Sequence, residues 1–290
     1  LAEIIRSLDE IAGRYDAAFV DLWGCLHDGV KAFPAAVAAM QRFRARGGKV
    51  VLVTNSPRPR AQVEAQVTAL GVARDAWDAI ASSGDAARVA LFQGAIGSRV
   101  WHMGEGSDEA FFTPPAILAD PVDIARVPLR EAEGIVCCGP FDPHADPEVN
   151  RGDFLYAKTK GMKLLCANPD IVVDRGGTRE WCAGALARLY TEMGGESLYF
   201  GKPHPPIYDL ARRSLAALGV TVVDAGILCI GDGIATDAAG AMGEDLDCLF
   251  VTGGLAAAET KTATDPDPAA LAEYLAAHQA GPQFAIGHLR

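Results

Sequence analysis

Short, unbroken apolar runs alternate along this chain with longer stretches in which apolar residues recur every three or four positions. The runs have the length and β-branched content of strands, and the longer stretches have the period of amphipathic helices. Strands are predicted over 17–22, 49–54, 78–82, 98–103, 133–138, 163–167, 198–200, 226–231 and 247–252. Helices are predicted over 34–46, 59–70, 84–93, 147–160, 179–193, 205–218, 234–243 and 268–279. A further amphipathic helix is read in 1–13, where Arg6, Asp9 and Glu10 punctuate the apolar residues. Such alternation marks a parallel sheet with crossover helices. Runs such as Val50-Val51-Leu52-Val53 suit strands covered on both faces.

Four of the predicted strands run into polar residues: Asp21, Thr54-Asn55, Gly201-Lys202 and Asp232. Ligands of open α/β sheets bind beyond the carboxyl ends of the strands, so these groups are expected to converge. The stretch between Thr54 and Lys202 is too long for one crossover and carries strands and helices of its own. It reads as an inserted domain over 80–195, with 1–79 and 196–290 forming the core domain.

Composition narrows the partners. The chain has 290 residues, half of them apolar, and a formal charge of −11 with no Lys/Arg-rich run. Nucleic acid and anionic membrane are therefore poor partners, and no apolar run is long enough to cross a bilayer. The seven cysteines are scattered without a C-x-x-C pair, which argues against structural zinc and disulfides. It favours buried, reduced thiols in a cytoplasmic protein.

Each polar strand end has a chemical reading and a plainer one. Asp21 can attack phosphorus and split a hydrolysis into two easier steps, or it can cap the turn before Gly24. The hydroxyl of Thr54 and the amide of Asn55 can donate to phosphate oxygens, although both are common loop residues. Lys202 can neutralise a phosphate and an attacking carboxylate together, whereas a lone lysine is more often solvated. The strongest signal is Gly231-Asp232-Gly233-Ile234-Ala235-Thr236-Asp237. Two carboxylates this close, among glycines that permit tight approach, suit Mg²⁺. Helix capping accounts for one of these acids but not for another at the strand end.

The order Asp21, Thr54, Lys202, Asp232/Asp237 resembles the four ordered motifs of the haloacid dehalogenase (HAD) superfamily. The insert between the second and third motifs is similar to that of subclass IIA, the group of NagD, nitrophenylphosphatases and pyridoxal phosphatases. Asn168-Pro169-Asp170 matches a recurring tripeptide of that subclass, and Cys182-Ala183-Gly184 matches its helix start more loosely. The resemblance runs from about residue 15 to about residue 255. It implies an α/β fold, a HAD-like Rossmannoid parallel-sheet core with an inserted α/β cap domain. It implies a Mg²⁺-dependent phosphatase acting on a small phosphorylated metabolite, a sugar phosphate or nucleotide, through an aspartyl-phosphate on Asp21. Lys202 would hold phosphate and nucleophile together, while Thr54 and Asn55 would bind phosphate oxygens. Mg²⁺ would be held by Asp21, the backbone carbonyl of Trp23, Asp232 and waters positioned in part by Asp237. The cap would set the substrate, with Asn168 and Asp170 facing the cleft, and caps of this type imply a homodimer.

One position departs from the pattern. Where phosphatases of this family usually carry a second Asp that handles protons, this chain has Trp23. Indole offers a single N–H and exchanges no proton at neutral pH. General acid–base help is worth roughly two to four orders of magnitude, so turnover is expected to be slow unless another residue substitutes. His27 is one candidate, with His102 and Glu105 further off; Arg179 and Trp181, at the predicted start of the next helix, are candidate substrate contacts. The alternative function is a catalytically impaired HAD scaffold that binds or senses a phospho-ligand. Phosphonate hydrolysis and phosphomutase chemistry fit less well. A dinucleotide-binding dehydrogenase is excluded by the missing G-x-G-x-x-G.

Overall fold

The computed structural model describes residues 2–116 and 118–290. The chain opens with β1 (Glu3–Ile4), β2 (Ala17–Val20), β3 (Lys49–Thr54) and β4 (Ala79–Ser82), with α1 (Pro34–Ala45) and α2 (Arg60–Ala69) between them. After α3 (Ser83–Phe92) it builds β5 (Arg99–Met103), β6 (Ala125–Arg126), β7 (Gly134–Cys137) and, beyond α4 (Arg151–Thr159), β8 (Lys163–Cys166). A hairpin of β9 (Val172–Arg175) and β10 (Thr178–Trp181) precedes α5 (Ala183–Glu192) and β11 (Glu196–Tyr199). Then α6 (Pro205–Ala217) leads to β12 (Ile227–Gly231), α7 (Ala239–Gly243), β13 (Asp247–Val251), α8 (Pro268–Ala277) and β14 (Phe284–Ile286).

Apart from the antiparallel β9–β10 hairpin, these strands form two parallel sheets. The larger has the order β1-β14-β13-β12-β2-β3-β4 and the smaller β11-β8-β7-β5-β6. In the larger sheet the chain winds outward from β2 through β3 and β4 on one side, and from β12 through β13 and β14 on the other. The β2–β12 pair is thus the switch point, where the crevice beyond the strand ends is widest.

Side-chain alternation divides each sheet's residues between two layers. Ala18, Val20, Val50, Leu52, Leu228 and Ile230 pack on one face of the large sheet with α1. Ala17, Phe19, Val51, Val53, Ile227 and Cys229 pack on the other with α6. The smaller sheet divides in the same way, with Ile135, Cys137, Leu164 and Cys166 against α4 and α5. Val136, Cys138 and Leu165 face α3. All seven cysteines are buried and unpaired. Among the described residues, no helix is long and apolar enough to cross a membrane.

The structure corrects the sequence reading at several points. The helix expected over 1–13 does not form in residues 2–13, and Leu1 lies outside the described residues. Glu3 and Ile5 donate backbone hydrogen bonds to Gln283 and Ala285, so the segment extends the sheet and then makes short 3-10 turns at Leu8–Glu10 and Ala12–Arg14. A long-range pairing of this kind leaves no local pattern. The helix expected from 179 begins at Ala183, because Thr178–Trp181 is a strand of the hairpin turned at Gly176-Gly177. Arg179 and Trp181 therefore lie on a strand, not on a helix. The chain leaves the large sheet after β4, which pairs with β3, and leaves the small one after β11, which pairs with β8.

Candidate active site

At the switch point the parallel register sets Val20 beside Ile230, so Asp21 and Asp232 leave neighbouring strand ends side by side. The backbone N–H of Asp21 still donates to Ile230 O at 2.8 Å. The chain then turns at Gly24, with φ of +70°. A Cβ there would overlap Asp232 Oδ2, so only glycine lets the loop close over that carboxylate. Carboxylate oxygens of Asp21 and Asp232 and the Cys25 sulfur lie within 4.8 Å of one another.

Lys202 arrives from the other sheet. It follows β11, not a strand of the large sheet, and the connection carries it beneath the carboxylates, where it is 3% exposed. Its ammonium lies 2.6 Å from Asp21 Oδ1 and 2.7 Å from Asp237 Oδ1. Asp237 is presented by a π-helical turn over Ile234–Ala238, in which the N–H groups of Asp237 and Ala238 both donate to Gly233 O. Its second oxygen accepts from Gly233 N–H at 3.1 Å and from the Thr236 hydroxyl at 3.3 Å. Such π turns recur at functional sites because they re-aim one side chain without ending the helix.

The two loops after β3 and β8 complete the arrangement. Thr54 is buried, its hydroxyl accepting from Ser56 N–H at 3.2 Å. The Asn55 side chain is a clip: its oxygen accepts from Lys202 N–H at 2.7 Å, and its amide donates to Lys202 O at 3.1 Å and to Asp170 Oδ1 at 2.8 Å. Asn168 makes an Asx turn, accepting from Asp170 N–H at 3.0 Å. The structure thus joins Asp21, Asn55, Asp170, Lys202 and Asp237 in one hydrogen-bonded group with Asp232 beside it. Thr54 and Asn168 sit at its margin.

The electrostatics follow from burial. Desolvation pushes the carboxyls of Asp21, Asp232 and Asp170 above their usual range, and that of Asp237 to about 6, although Lys202 pulls each of them down. Burial alone would depress the Lys202 ammonium; Asp21, Asp237 and Asp170 outweigh it and hold the ammonium protonated. Four carboxyls therefore share one buried cation. Among the described residues, Asp232 accepts a hydrogen bond only from Leu255 N–H, at 3.0 Å. A cluster so short of positive charge, and rich in oxygen donors, fits a hard divalent cation such as Mg²⁺. The neighbouring Cys25 thiol is the wrong donor for that ion.

A cavity of about 280 Å³ lies above the cluster, lined by Asp21, Trp23, Asp170, Asp232 and Asp237 and roofed by Val172 and Val173 of the hairpin. A smaller cleft of about 100 Å³ shares Trp23, Asp170 and Val173 with it and continues between Arg58 and Trp181. The hairpin is fastened over the Asp21 loop: Gly176 N–H donates to Asp28 O at 2.9 Å. The Arg175 guanidinium stands 5.1 Å over the Trp23 ring. Trp23 packs edge-on against His27, with ring centroids 5.1 Å apart. His27 is fully buried, its Nδ1 accepts from Gly29 N–H at 3.0 Å, and burial pushes its pKa down to about 4. It lines neither cavity, so it does not stand in for the missing acid. The hairpin roof and the 253–255 loop were not read from the sequence; the Gly176-Gly177 pair between short polar-apolar runs was the available signal.

Comparison with known proteins identifies the family and the fold. The model of the haloacid dehalogenase-like hydrolase family matches residues 18–113, and a HAD-hydrolase-like model matches 199–278. The crystal structure of a haloacid dehalogenase-like family hydrolase from Brucella suis 1330 is 39% identical. It covers 99% of this chain and 100% of its own, with a TM-score of 0.85. This chain belongs to the haloacid dehalogenase-like hydrolase family. More distant HAD structures share the fold. One is a possible sugar phosphatase from Cytophaga hutchinsonii (18% identity, 99% and 98% of the two chains, TM-score 0.76). Another is a glycerol phosphate phosphatase from Mycobacterium tuberculosis in complex with magnesium (23% identity, 87% and 71%, TM-score 0.63). No curated protein matches the chain.

Proposed function

We propose that this HAD hydrolase is a Mg²⁺-dependent, NagD-like phosphatase that cleaves a small phosphorylated metabolite through an aspartyl-phosphate on Asp21. The observation that carries this reading is the buried Lys202 ammonium, shared between Asp21 and Asp237 at hydrogen-bond distance beside Asp232. A solvated lysine and two capping acids, the plainer alternatives, would not be gathered and buried together. The smaller sheet and its hairpin serve as the cap, and a cytoplasmic location suits the buried reduced thiols.

In this reading an Asp21 oxygen attacks phosphorus, the bond to the ester oxygen breaks, and the leaving group takes a proton. Water then attacks the same phosphorus and releases phosphate, restoring the Asp21 carboxylate. Lys202 neutralises the phosphoryl oxygens and keeps Asp21 ionised, and Thr54 and Asn55 border the phosphate site. Asp21, Asp232 and the Trp23 carbonyl would hold Mg²⁺, with Asp237 ordering its waters, and the ion would supply the remaining charge stabilisation.

Proton transfer falls to Asp170. Of the other acids lining the cavity, Asp28 is held below its usual range by the N–H groups of Lys31 and Val30. Asp174 is held down by a two-pronged pair with Arg179. Asp170 alone of the three is pushed up, and it faces both the cavity and the cleft in which a leaving group would lie.

A second reading has its own support. Trp23, wedged between His27 and Arg175, closes the hairpin onto the core as a clamp would, which suits a phospho-ligand binding protein. Incubation with Mg²⁺ and p-nitrophenyl phosphate or acetyl phosphate, beside Asp21→Asn, separates the two. Asp21-dependent turnover establishes the phosphatase. Phosphate-ligand binding without phosphorylation or turnover establishes the binding protein.

A further inference from the structure

A second group of ligating side chains gathers at the carboxyl edge of the smaller sheet. His102 comes from β5, Cys138 follows the end of β7, and Asp108 lies on the 3-10 turn Gly106–Phe112 that follows β5. A ring nitrogen of His102, a carboxylate oxygen of Asp108 and the sulfur of Cys138 lie within 4.8 Å of one another. We propose that these three residues form a site for a borderline divalent cation of the Zn²⁺ class, separate from the Asp21–Asp232 site and open to the cleft beside it.

The argument starts from an unmet polar atom. His102 Nε2 is buried and has no hydrogen-bond partner among the described residues. Asp108 Oδ2 stands 3.4 Å away, too far for a strong hydrogen bond but near enough to share a metal ion. Buried ring nitrogens left unpaired are costly, and each asks for a partner. Gly104 keeps the space clear, since a Cβ there would overlap both Asp108 Oδ2 and His102 Nε2. Glu105 N–H donates to the same Asp108 oxygen, Oδ2, at 2.9 Å, which fixes that oxygen beside His102 as outer hydrogen bonds orient metal ligands.

The donor set names the cation. Imidazole, carboxylate and thiolate together suit Zn²⁺, whereas Mg²⁺ takes oxygen alone. Three protein ligands leave one tetrahedral position, the pattern of sites that bind water or substrate. Asp108 and Cys138 both line the small cleft, so that position faces the space reached from Trp23 and Asp170. A substrate oxygen or nitrogen in the cleft would complete the coordination. Binding converts the Cys138 thiol to thiolate and releases its proton to solvent. Cys138 is buried in the layer facing α3 and also lines the cleft.

The test uses the full chain. Metal content after equilibrium dialysis against Zn²⁺ should be one equivalent, retained in Asp232→Asn, which alters only the other site. Co²⁺ in place of Zn²⁺ should give a thiolate-to-cobalt charge-transfer band. Cys138→Ser should abolish that band and weaken Zn²⁺ binding by about 100-fold. His102→Ala should weaken binding similarly, and Gly104→Ala, which removes no donor, should weaken it about tenfold by crowding. Circular dichroism and the metal-free Tm confirm that each variant is folded. Full retention of Zn²⁺ by folded Cys138→Ser and His102→Ala, or a Co²⁺ complex without the thiolate band, overturns the site.

Discussion

Lys202→Met strips the site of its cation while keeping the bulk of the side chain, and its cost can be worked from the geometry. At 2.6 and 2.7 Å from two carboxylates, each attraction is about 6 kcal/mol at an effective dielectric of about 20. Most of that offsets the desolvation of three buried charges, so the loss on breaking such a pair is about 3–5 kcal/mol. For a chain of this size that lowers Tm by about 10 °C. The Asp237 carboxyl is already raised to about 6. Without the ammonium it takes up a proton near neutrality, so the full deficit appears at about pH 8. Denaturant unfolding in EDTA at that pH measures it. The discriminating arm is Lys202→Met/Asp237→Asn, which removes the stranded carboxylate along with the ammonium. It should recover at least about 1.5 kcal/mol relative to the sum of the single variants. Strict additivity within about 0.5 kcal/mol, or a Lys202→Met protein as stable as wild type, would refute the shared-ammonium reading. Turnover should fall by about 10²–10³-fold in the same variant, as when a preorganised donor is deleted.

Three further outcomes are expected. Asp170→Asn should lower kcat by about 10²–10⁴-fold and flatten one limb of the pH–rate profile; an unchanged profile removes Asp170 from proton transfer. Gly24→Ala forces a strained φ and pushes on Asp232, at a cost of about 1–3 kcal/mol. The Mg²⁺ concentration for half-maximal activity should rise about tenfold, and an unchanged Mg²⁺ titration counts against Asp232 as a ligand. Burial pushes the Asp78 carboxyl up, but Arg44 and Val50 N–H, at 2.7–2.9 Å, hold it below its usual range. A carboxyl depressed by folding contributes stability above its unfolded pKa and loses it as pH falls through its folded value. Asp78→Asn should therefore cost about 1.5–3 kcal/mol at pH 7, with the gap closing below about pH 4; parallel stability curves from pH 7 to pH 3 would exclude this.

Much of the fold was legible because its driving pattern is local. Strands such as Lys49–Thr54 and Ile227–Gly231 are covered on both faces, so their sequences are continuous apolar runs bounded by turns. The polar residues at their ends stood out for the same reason: Asp21 and Asp232 break apolar runs where a loop must start. What stayed hidden depends on partners far along the chain. The Glu3–Ile4 strand exists only because Phe284–Ile286 offers an edge. The hairpin roof carries charged residues in strand positions, and its pairing is set by a two-residue turn, not by apolar alternation.

Residue types and their order determined that a strand-end carboxylate, a lysine and a paired acid motif existed, and that a long stretch with its own strands and helices separated them. Only the tertiary structure decided what they do to one another. The Asn55 amide became a clip on Lys202, His27 was sealed under Trp23, and Asp170 came to line both the cavity and the smaller cleft while Asn168 lines the cleft. Cys138 came to rest beside His102 and Asp108. Charge and hydrogen-bond energies depend on distances of a few ångströms and on the exclusion of water, and those quantities come into being only when remote segments pack.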